Sequence, residues 1–449
     1  MSETSLAVQT STTATGGYTE AFLDRIFPPP RTFGIRLWNG TTLPSPDDPP
    51  FTLVLTSPGS LRRMFRVPVE LSMGEAYLRG DFEIEGDLSS AFELVPAARA
   101  AVRSPADAAA LVLGWMRLPT GQPEPEARLS THAPARLRGK RGSRHRDRVA
   151  IQYHYDVGND FYQLFLDRRM LYSCAYFPTG AEDLDTAQEA KLEHICRKLR
   201  LKRGERLLDI GCGWGGMLIY AAQKYGVTGM GVTLSAAQLE LARARVREAG
   251  LEGKIVLEQR DYRDLTGEPF DKIVSIGMFE HVGRIGLPDY FAQAYGLLRP
   301  GGLFLNHGIA DRPKNAPTGV AGWTARHLDS LLVGNYTFRT RYIFPDGELV
   351  PVSEANLEAE RAGFEVRDVE NLREHYALTI RHWLRRLRER REEAIRIGGV
   401  GMYRLWELYL AGCIEHFDKA KISINQSLLA RPRAGKVGLP WSRAELYRS

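Results

Sequence analysis

The sequence predicts an α/β protein: an open, doubly wound parallel sheet preceded by a small α+β domain. Three observations predict it. From about Val149 onward, short apolar strings alternate with helical ones, the order that parallel strands and crossover helices require. The first of these strings, "LLDIGCGWGG" (207–216), runs into a glycine cluster, the sign of a strand that turns sharply into a helix against a ligand. A Pro-rich and then Arg-rich stretch, 119–148, separates this region from an earlier one of different character.

Taken in order, residues 1–17 read as a disordered tail. Residues 18–118 hold the β-type strings "FTLVLTS" and "MFRVPVEL", then "GEAYLRGDFEIEGDL" and an Ala-rich helical run, Leu88 to Trp115, which predict an α+β unit. Residues 119–148 read as a basic linker. From Arg136 to Arg148 it carries seven Lys/Arg against one Asp, a solvated tether, a contact for anionic lipid headgroups or a contact for nucleic acid. In the domain 149–449, "ERLLDIG", "VTGMGVTL", "KIVLEQ", "FDKIVSIG" and "GGLFLNHGI" are five strands, with "GGMLIYAAQKYG", "SAAQLELARARVREAG" and "PDYFAQAYGLL" as helices among them. Residues 311–350 break the pattern with an aromatic-rich insert, read as a lid above the active edge or as core packing. Alternation resumes with "EANLEAERAGFEVRDVENL", and the last stretch reads as helical. In "IRHWLRRLRERR" (380–391), Trp383, Leu384 and Leu387 share a face that serves either the core or a membrane surface.

At 449 residues and 43% apolar, the chain has material for two ordinary cores. Its N-terminus lacks a basic n-region and an apolar h-region, so a cytoplasmic location is expected. Cys174, Cys196, Cys212 and Cys413 are too scattered for a zinc motif and too few for a disulfide framework, so reduced thiols are expected. The net charge of +6 and pI near 9.0 suggest a polyanionic partner, nucleic acid or an anionic membrane face.

A dinucleotide fold would place an acid at the end of the second strand to hold ribose hydroxyls. Here that strand ends in "GVTLSAAQ", without one, which argues against NAD. Asp209 before the glycines, Asp261 and Tyr262 after the third strand and Glu280 after the fourth instead suggest a class I, Rossmann-like S-adenosylmethionine methyltransferase. The cofactor's amino-acid end would lie over Gly211, Gly213 and Gly216, with its adenine near Tyr262.

Longer strings narrow this. "YHYDVGNDFYQLFLDRRMLYSCAYF" (153–177), "LLDIGCGWGG", "GVTLSAAQ", "MFEHVG", "LNHGIA" (305–310), "EHYALT" (374–379) and "YLAGCIEHF" (409–417) closely resemble the cyclopropane fatty acid synthases and mycolic acid cyclopropane synthases. The resemblance covers 150–430 and extends weakly to the N-terminal domain. It implies a soluble enzyme, peripheral at the inner face of the cell membrane, that carries the methyl of S-adenosylmethionine to the cis double bond of a phospholipid acyl chain. It further implies that Tyr172, Ser173, the stretch Leu207, Asp209, Gly211, Cys212, Gly213, Trp214 and Gly215, then Thr233, Ser235, Gln238, Asp261 and Tyr262 line the cofactor site. A bicarbonate ion would be held by Cys174, Glu280, His307, the backbone of Ile309 and Tyr376. Cys413 matches a cysteine once proposed as catalytic in the family. A homodimer is also implied.

An isolated alkene is a poor nucleophile, so it must meet the sulfonium methyl dry and in line. Methyl transfer leaves a carbocation. Loss of a proton from the new methyl closes a cyclopropane; a hydride shift first leaves an exomethylene branch, which a separate reductase converts to a methyl branch. The terminal "GLPWSRAELY" resembles relatives making 10-methylene and 10-methyl chains, so both products stay open. Two other readings are weaker. A nucleic-acid methyltransferase would need a base-flipping pocket or an RNA-binding module, and neither is visible; a non-catalytic lipid binder would not need the full set of site residues.

Overall fold

The computed structural model describes residues 17–121, 134, 135, 137–155, 157–313 and 337–447. They fall into two units. The first gathers the N-terminal residues to 134 with 337–343 and 392–415; the second holds 135–313, 344–391 and 416–447. The sequence assigned 337–343 and 392–415 to the catalytic domain, whereas they cluster with the N-terminal one.

In the first unit, β1 (Gly34–Arg36), β2 (Thr42–Leu43), β3 (Phe51–Leu55) and β4 (Phe82–Gly86) form a sheet of order β2-β1-β3-β4. "FTLVLTS" is indeed β3, its alternate side chains Phe51, Leu53 and Leu55 buried. "MFRVPVEL" is not a strand. It spans the end of α1 (Ser60–Met64) and the start of α2 (Val69–Arg79), because Pro68 presets the N-cap of α2 and the buried Val69, Leu71, Ser72, Met73 and Ala76 follow helical spacing. Gly80 at φ 75° ends α2 in the left-handed conformation. The Ala-rich run divides into α3 (Leu94–Ala100) and α4 (Pro105–Arg117), where the Ser104 hydroxyl accepts from Asp107 N–H at the cap.

The second unit carries the expected sheet. Its elements are α5 (Arg144–Tyr155), α6 (Asn159–Gln163), α7 (Leu184–Leu199), β5 (Arg206–Ile210), α8 (Gly216–Tyr225), β6 (Thr228–Thr233), α9 (Ala236–Glu248), β7 (Ile255–Gln259), β8 (Phe270–Ile276), α10 (Gly283–Leu297), β9 (Leu298–Asp311), α11 (Val352–Arg361), β10 (Glu365–Asn371) and α12 (Arg373–Glu389). Helix α13 (Arg391–Asp418), non-helical at Gly399, lies mostly in the first unit, and β11 (Ile422–Ala430) returns to the second. The sheet order is β10-β11-β9-β8-β5-β6-β7. Strands β5 to β9 run parallel, and the order reverses beside β5, so a crevice opens at its carboxyl end.

Strand β11 lies where the sequence predicts helix. This strand slots antiparallel between β9 and β10, pairing Gln426 with His307 and Ile424 with Ile309. Flanked on both edges, it is buried from Ile424 to Ala430, so no polar alternation marks it. Residues 144–148, expected in the linker, begin α5. The apolar face of "IRHWLRRLRERR" is core: Trp383, Leu384 and Leu387 are all buried, and Trp383 packs 5.2 Å from the Tyr172 ring. That excludes Trp383, Leu384 and Leu387 as a membrane contact. Most of the expected lid, 314–336, lies outside the described residues, as do 1–16, most of the Pro-rich segment and Arg136.

Candidate active site

A cavity of about 350 Å³ opens at the carboxyl edge of β5, β6 and β8. Its floor is the glycine loop. Gly211, at φ 84°, turns the chain out of β5, and the N–H groups of Gly211 and Cys212 both donate to Val232 O at 3.0 Å, which folds the loop over the end of β6. A Cβ on Gly211 would stand 2.8 Å from Met278 Cβ, so only glycine lets loop and β8 turn approach.

Of the expected cofactor residues, Tyr172, Ser173, Asp209, Gly211, Cys212, Gly213, Trp214, Thr233, Gln238, Asp261 and Tyr262 line this cavity. Three do not. Leu207 points into the core, Gly215 is the left-handed N-cap of α8, and Ser235 caps α9 by accepting from Gln238 N–H. Thr233 Oγ1 donates to Gln238 Oε1 at 2.9 Å, fixing the amide at the wall. Burial pushes the Asp209 carboxyl up to about 7, with the Lys191 ammonium working against it. Asp261 is held low: burial would raise it, but Arg263 grips both oxygens, at 2.9 and 2.6 Å.

The residues read as a linker wall the cavity. Lys140, Arg141, Gly142 and Ser143 line it, with Asp147, Ile151 and Tyr155 of α5. The arginines are engaged: Arg144 pairs with Asp264 at 2.6 Å, Arg146 donates to both oxygens of Asp346, and Asp147 receives Arg263 at 3.1 Å. A tether would not show this. Lys191 and His281 also line the cavity and escaped the sequence reading. His281 adjoins Glu280 in the quoted "MFEHVG", and burial holds its imidazole neutral, pushed down to about 4. Lys191 could have been found by helical spacing, since it falls on one face with Ala187, Gln188, Ile195 and Lys198.

The residues implied to hold an anion do not line this cavity, and three separate sets of contacts place them. Glu280 Oε1 accepts from Ile309 N–H at 2.7 Å. Cys174 Sγ lies 3.8 Å from Leu372 O, the same carbonyl that receives Tyr376 N–H at 3.0 Å, and Leu372 N–H donates to Ile424 O, opposite Ile309 in the sheet. His307, fully buried in β9, takes the Gln426 side-chain amide on Nδ1 at 3.2 Å, which leaves the proton on Nε2. Glu280 Oε2 and His307 Nε2, like Gln426 Oε1 beside the imidazole, are buried and have no hydrogen-bond partner among the described residues. Unmet buried groups are costly, so each of these atoms has hydrogen-bonding capacity left for a ligand. Burial sets the protonation: Glu280 rises to about 7, His307 falls well below its usual range, and the Cys174 thiol rises. A neutral imidazole and a proton-bearing carboxyl can both donate to an anion. Cys413 is not part of this cluster; it belongs to the first unit, on α13, with its thiol pushed up to about 11 by burial.

A parallel sheet reversing at β5, a left-handed glycine loop and acids near the carboxyl end of β5 and just after β7 and β8 define a class I methyltransferase fold. Residues 142–427 match the model of the mycolic acid cyclopropane synthetase family. The chain belongs to that family. It is 40% identical to a probable fatty acid methyltransferase of Pseudomonas putida across 92% of this chain and 96% of that one. It is 38% identical to the cyclopropane-fatty-acyl-phospholipid synthase of Escherichia coli across 64% of this chain and 69% of that one. Among solved structures, the mycolic acid cyclopropane synthase CmaA1 complexed with SAH and CTAB aligns with TM-score 0.57 and 35% identity, covering 63% of this chain and 97% of that one.

Proposed function

We propose that the chain moves a methyl group from S-adenosylmethionine to the cis double bond of an unsaturated phospholipid acyl chain, giving a cyclopropane or a methylene-branched chain. The observation that carries this is the glycine-floored cavity of a family member, together with the buried Glu280 Oε2 and His307 Nε2, which lack partners among the described residues. The relatives' names and the SAH in a solved relative agree with it.

When bound, S-adenosylmethionine supplies an electrophilic methyl and bicarbonate supplies a base for the proton that must leave. The chain's residues do the rest. The glycine loop, Tyr172 and Trp214 shape the donor's bed, and α5 closes one side of it through the Arg146–Asp346 and Arg263–Asp147 pairs. Glu280, His307, Tyr376 and Cys174, with the backbone of Ile309, would hold the anion, the Nε2 proton of His307 pointing to it. Their burial keeps water from a carbocation formed nearby. A fixed anion in a low-dielectric site also lowers the energy of that cation.

The test is incubation with dioleoyl phospholipid vesicles and S-adenosylmethionine bearing a fully deuterated methyl, followed by mass spectrometry of the fatty acids. Two deuteriums in a ring identify cyclopropane formation; two on a reducible exomethylene identify branching. No labelled lipid overturns the reading.

Peripheral membrane association belongs to the same proposal. Among the described residues no helix is long and apolar enough to cross a bilayer. Helix α4 supports a surface contact: it has no buried residue, exposes Val112, Leu113 and Met116 to about half their area, and is flanked by the exposed Arg103 and Arg117. Replacing Leu113 and Met116 together by Glu is expected to weaken binding to anionic vesicles by at least about ten-fold in sedimentation assays. Unchanged binding would remove α4 from the contact.

A further inference from the structure

Helix α7 carries two lysines on its buried face, and they are treated differently. Lys198 has its counter-charges in place: Glu370 at 2.5 Å and Asp368 at 3.3 Å. Lys191, wholly buried, has one partner among the described residues, the Ser173 hydroxyl, to which Nζ donates at 2.9 Å. No carboxylate lies within 4.0 Å of it among the described residues, and an ammonium has three protons to place. Burying a cation against a single neutral oxygen is costly. The cost shows in Lys191 itself: burial pushes its ammonium down to about 8, with Asp167, Cys174 and Asp209 pulling it back.

Its surroundings are ordered. One turn earlier, the Gln188 amide donates to Leu171 O and Ser173 O, at 3.2 and 2.9 Å, so α7 pins the segment that carries Ser173. Lys191 and Ser173 then open into the same cavity as Asp209, at the end where β5 meets the glycine loop. This floor presents one buried cation and one buried carboxyl. A ligand matching both carries an ammonium and a carboxylate together, as an α-amino acid does.

We propose that Lys191 is the carboxylate receptor of the donor site: its ammonium holds the α-carboxylate at the amino-acid end of the methyl donor, while Asp209 faces the α-ammonium. The proposal rests on the donor reading of the cavity and adds a positioning residue to it. Lys191 sets how deep the amino-acid end sits, and so where the sulfonium methyl lies relative to the anion cluster.

Two ligands test it by calorimetry on the full chain: S-adenosylhomocysteine, and S-adenosyl-3-thiopropylamine, which keeps the ammonium and lacks the carboxylate. The wild type is expected to prefer the first by about 30-fold, the range of a charge-assisted hydrogen bond. Lys191→Met should bring that preference to within about three-fold, chiefly by losing S-adenosylhomocysteine, and Lys191→Gln should fall between. The free Lys191→Met protein should melt no lower than wild type, since an uncompensated buried charge has gone. A preference retained in Lys191→Met overturns the proposal, as does an equal loss for both ligands with a lowered Tm, which marks a structural lysine. Retained preference with altered bicarbonate dependence of turnover would assign Lys191 to the anion cluster and also overturn it. If the wild type binds neither ligand, the donor reading itself falls.

Discussion

Glu280→Gln is expected to lower kcat by about 10²- to 10³-fold while leaving S-adenosylhomocysteine affinity within about two-fold. The carboxyl holds Ile309 N–H through one oxygen and leaves the other unpartnered among the described residues, where the proposed anion would meet it. A glutamine keeps the first bond and loses the proton-sharing second oxygen. His307→Ala should behave alike, by removing the Nε2 donor. Wild-type turnover in both variants would dissolve the anion site. The same substitution carries a pH signature in the free enzyme. Burial raises the Glu280 carboxyl from 4.5 to about 7, so its contribution to stability is fully present below 4.5 and is lost as pH rises through 7. The shift corresponds to about 3 kcal/mol between those limits. Glu280→Gln should therefore flatten the fall in stability between about pH 4.5 and 7 in denaturant titrations. Asp209, raised to about 7 for the same reason, leaves a residual slope of the same sign.

The central sheet was legible because its strands are short apolar runs punctuated by glycine and by amphipathic helices. Strand β11 was not, since "ISINQSLLA" is enclosed by β9 and β10 and owes its form to neighbours distant in the chain. Residues 140–148 were misread for a related reason. Arginine density and absent periodicity describe a tether, and only the fold brings Asp264 and Asp346 within reach of Arg144 and Arg146. The site divides likewise. Glycines and strand-end acids carry their chemistry in their spacing, so Asp209, Gly211 and Asp261 could be placed directly. The grouping of Glu280, His307, Cys174 and Tyr376 was implied by the resemblance. The part of it that the structure shows, Cys174 and Tyr376 at the carbonyl of Leu372, which is tied to β11, depends on a strand that local sequence does not mark.

Gly211→Ala is expected to weaken S-adenosylhomocysteine binding by on the order of 100-fold and to lower stability by about 1–3 kcal/mol. Two costs combine. At φ 84° an alanine sits in the left-handed region, and its Cβ would meet Met278 Cβ at 2.8 Å and Cγ at 2.9 Å. The nearer contact is to the stem of Met278, so a rotamer change cannot clear it. The glycine loop must part from the β8 turn, and both line the cavity. Gly213→Ala separates the two costs, because Gly213 also has positive φ, 52°, but a Cβ there meets nothing within 4 Å. Gly213→Ala should pay the conformational part, about 1 kcal/mol in chemical denaturation, without a clash. A Gly211→Ala protein that binds at wild-type affinity would mean the loop has slack and does not set the cavity floor. Equal damage from both variants would place the requirement in the backbone conformation rather than in the approach to Met278.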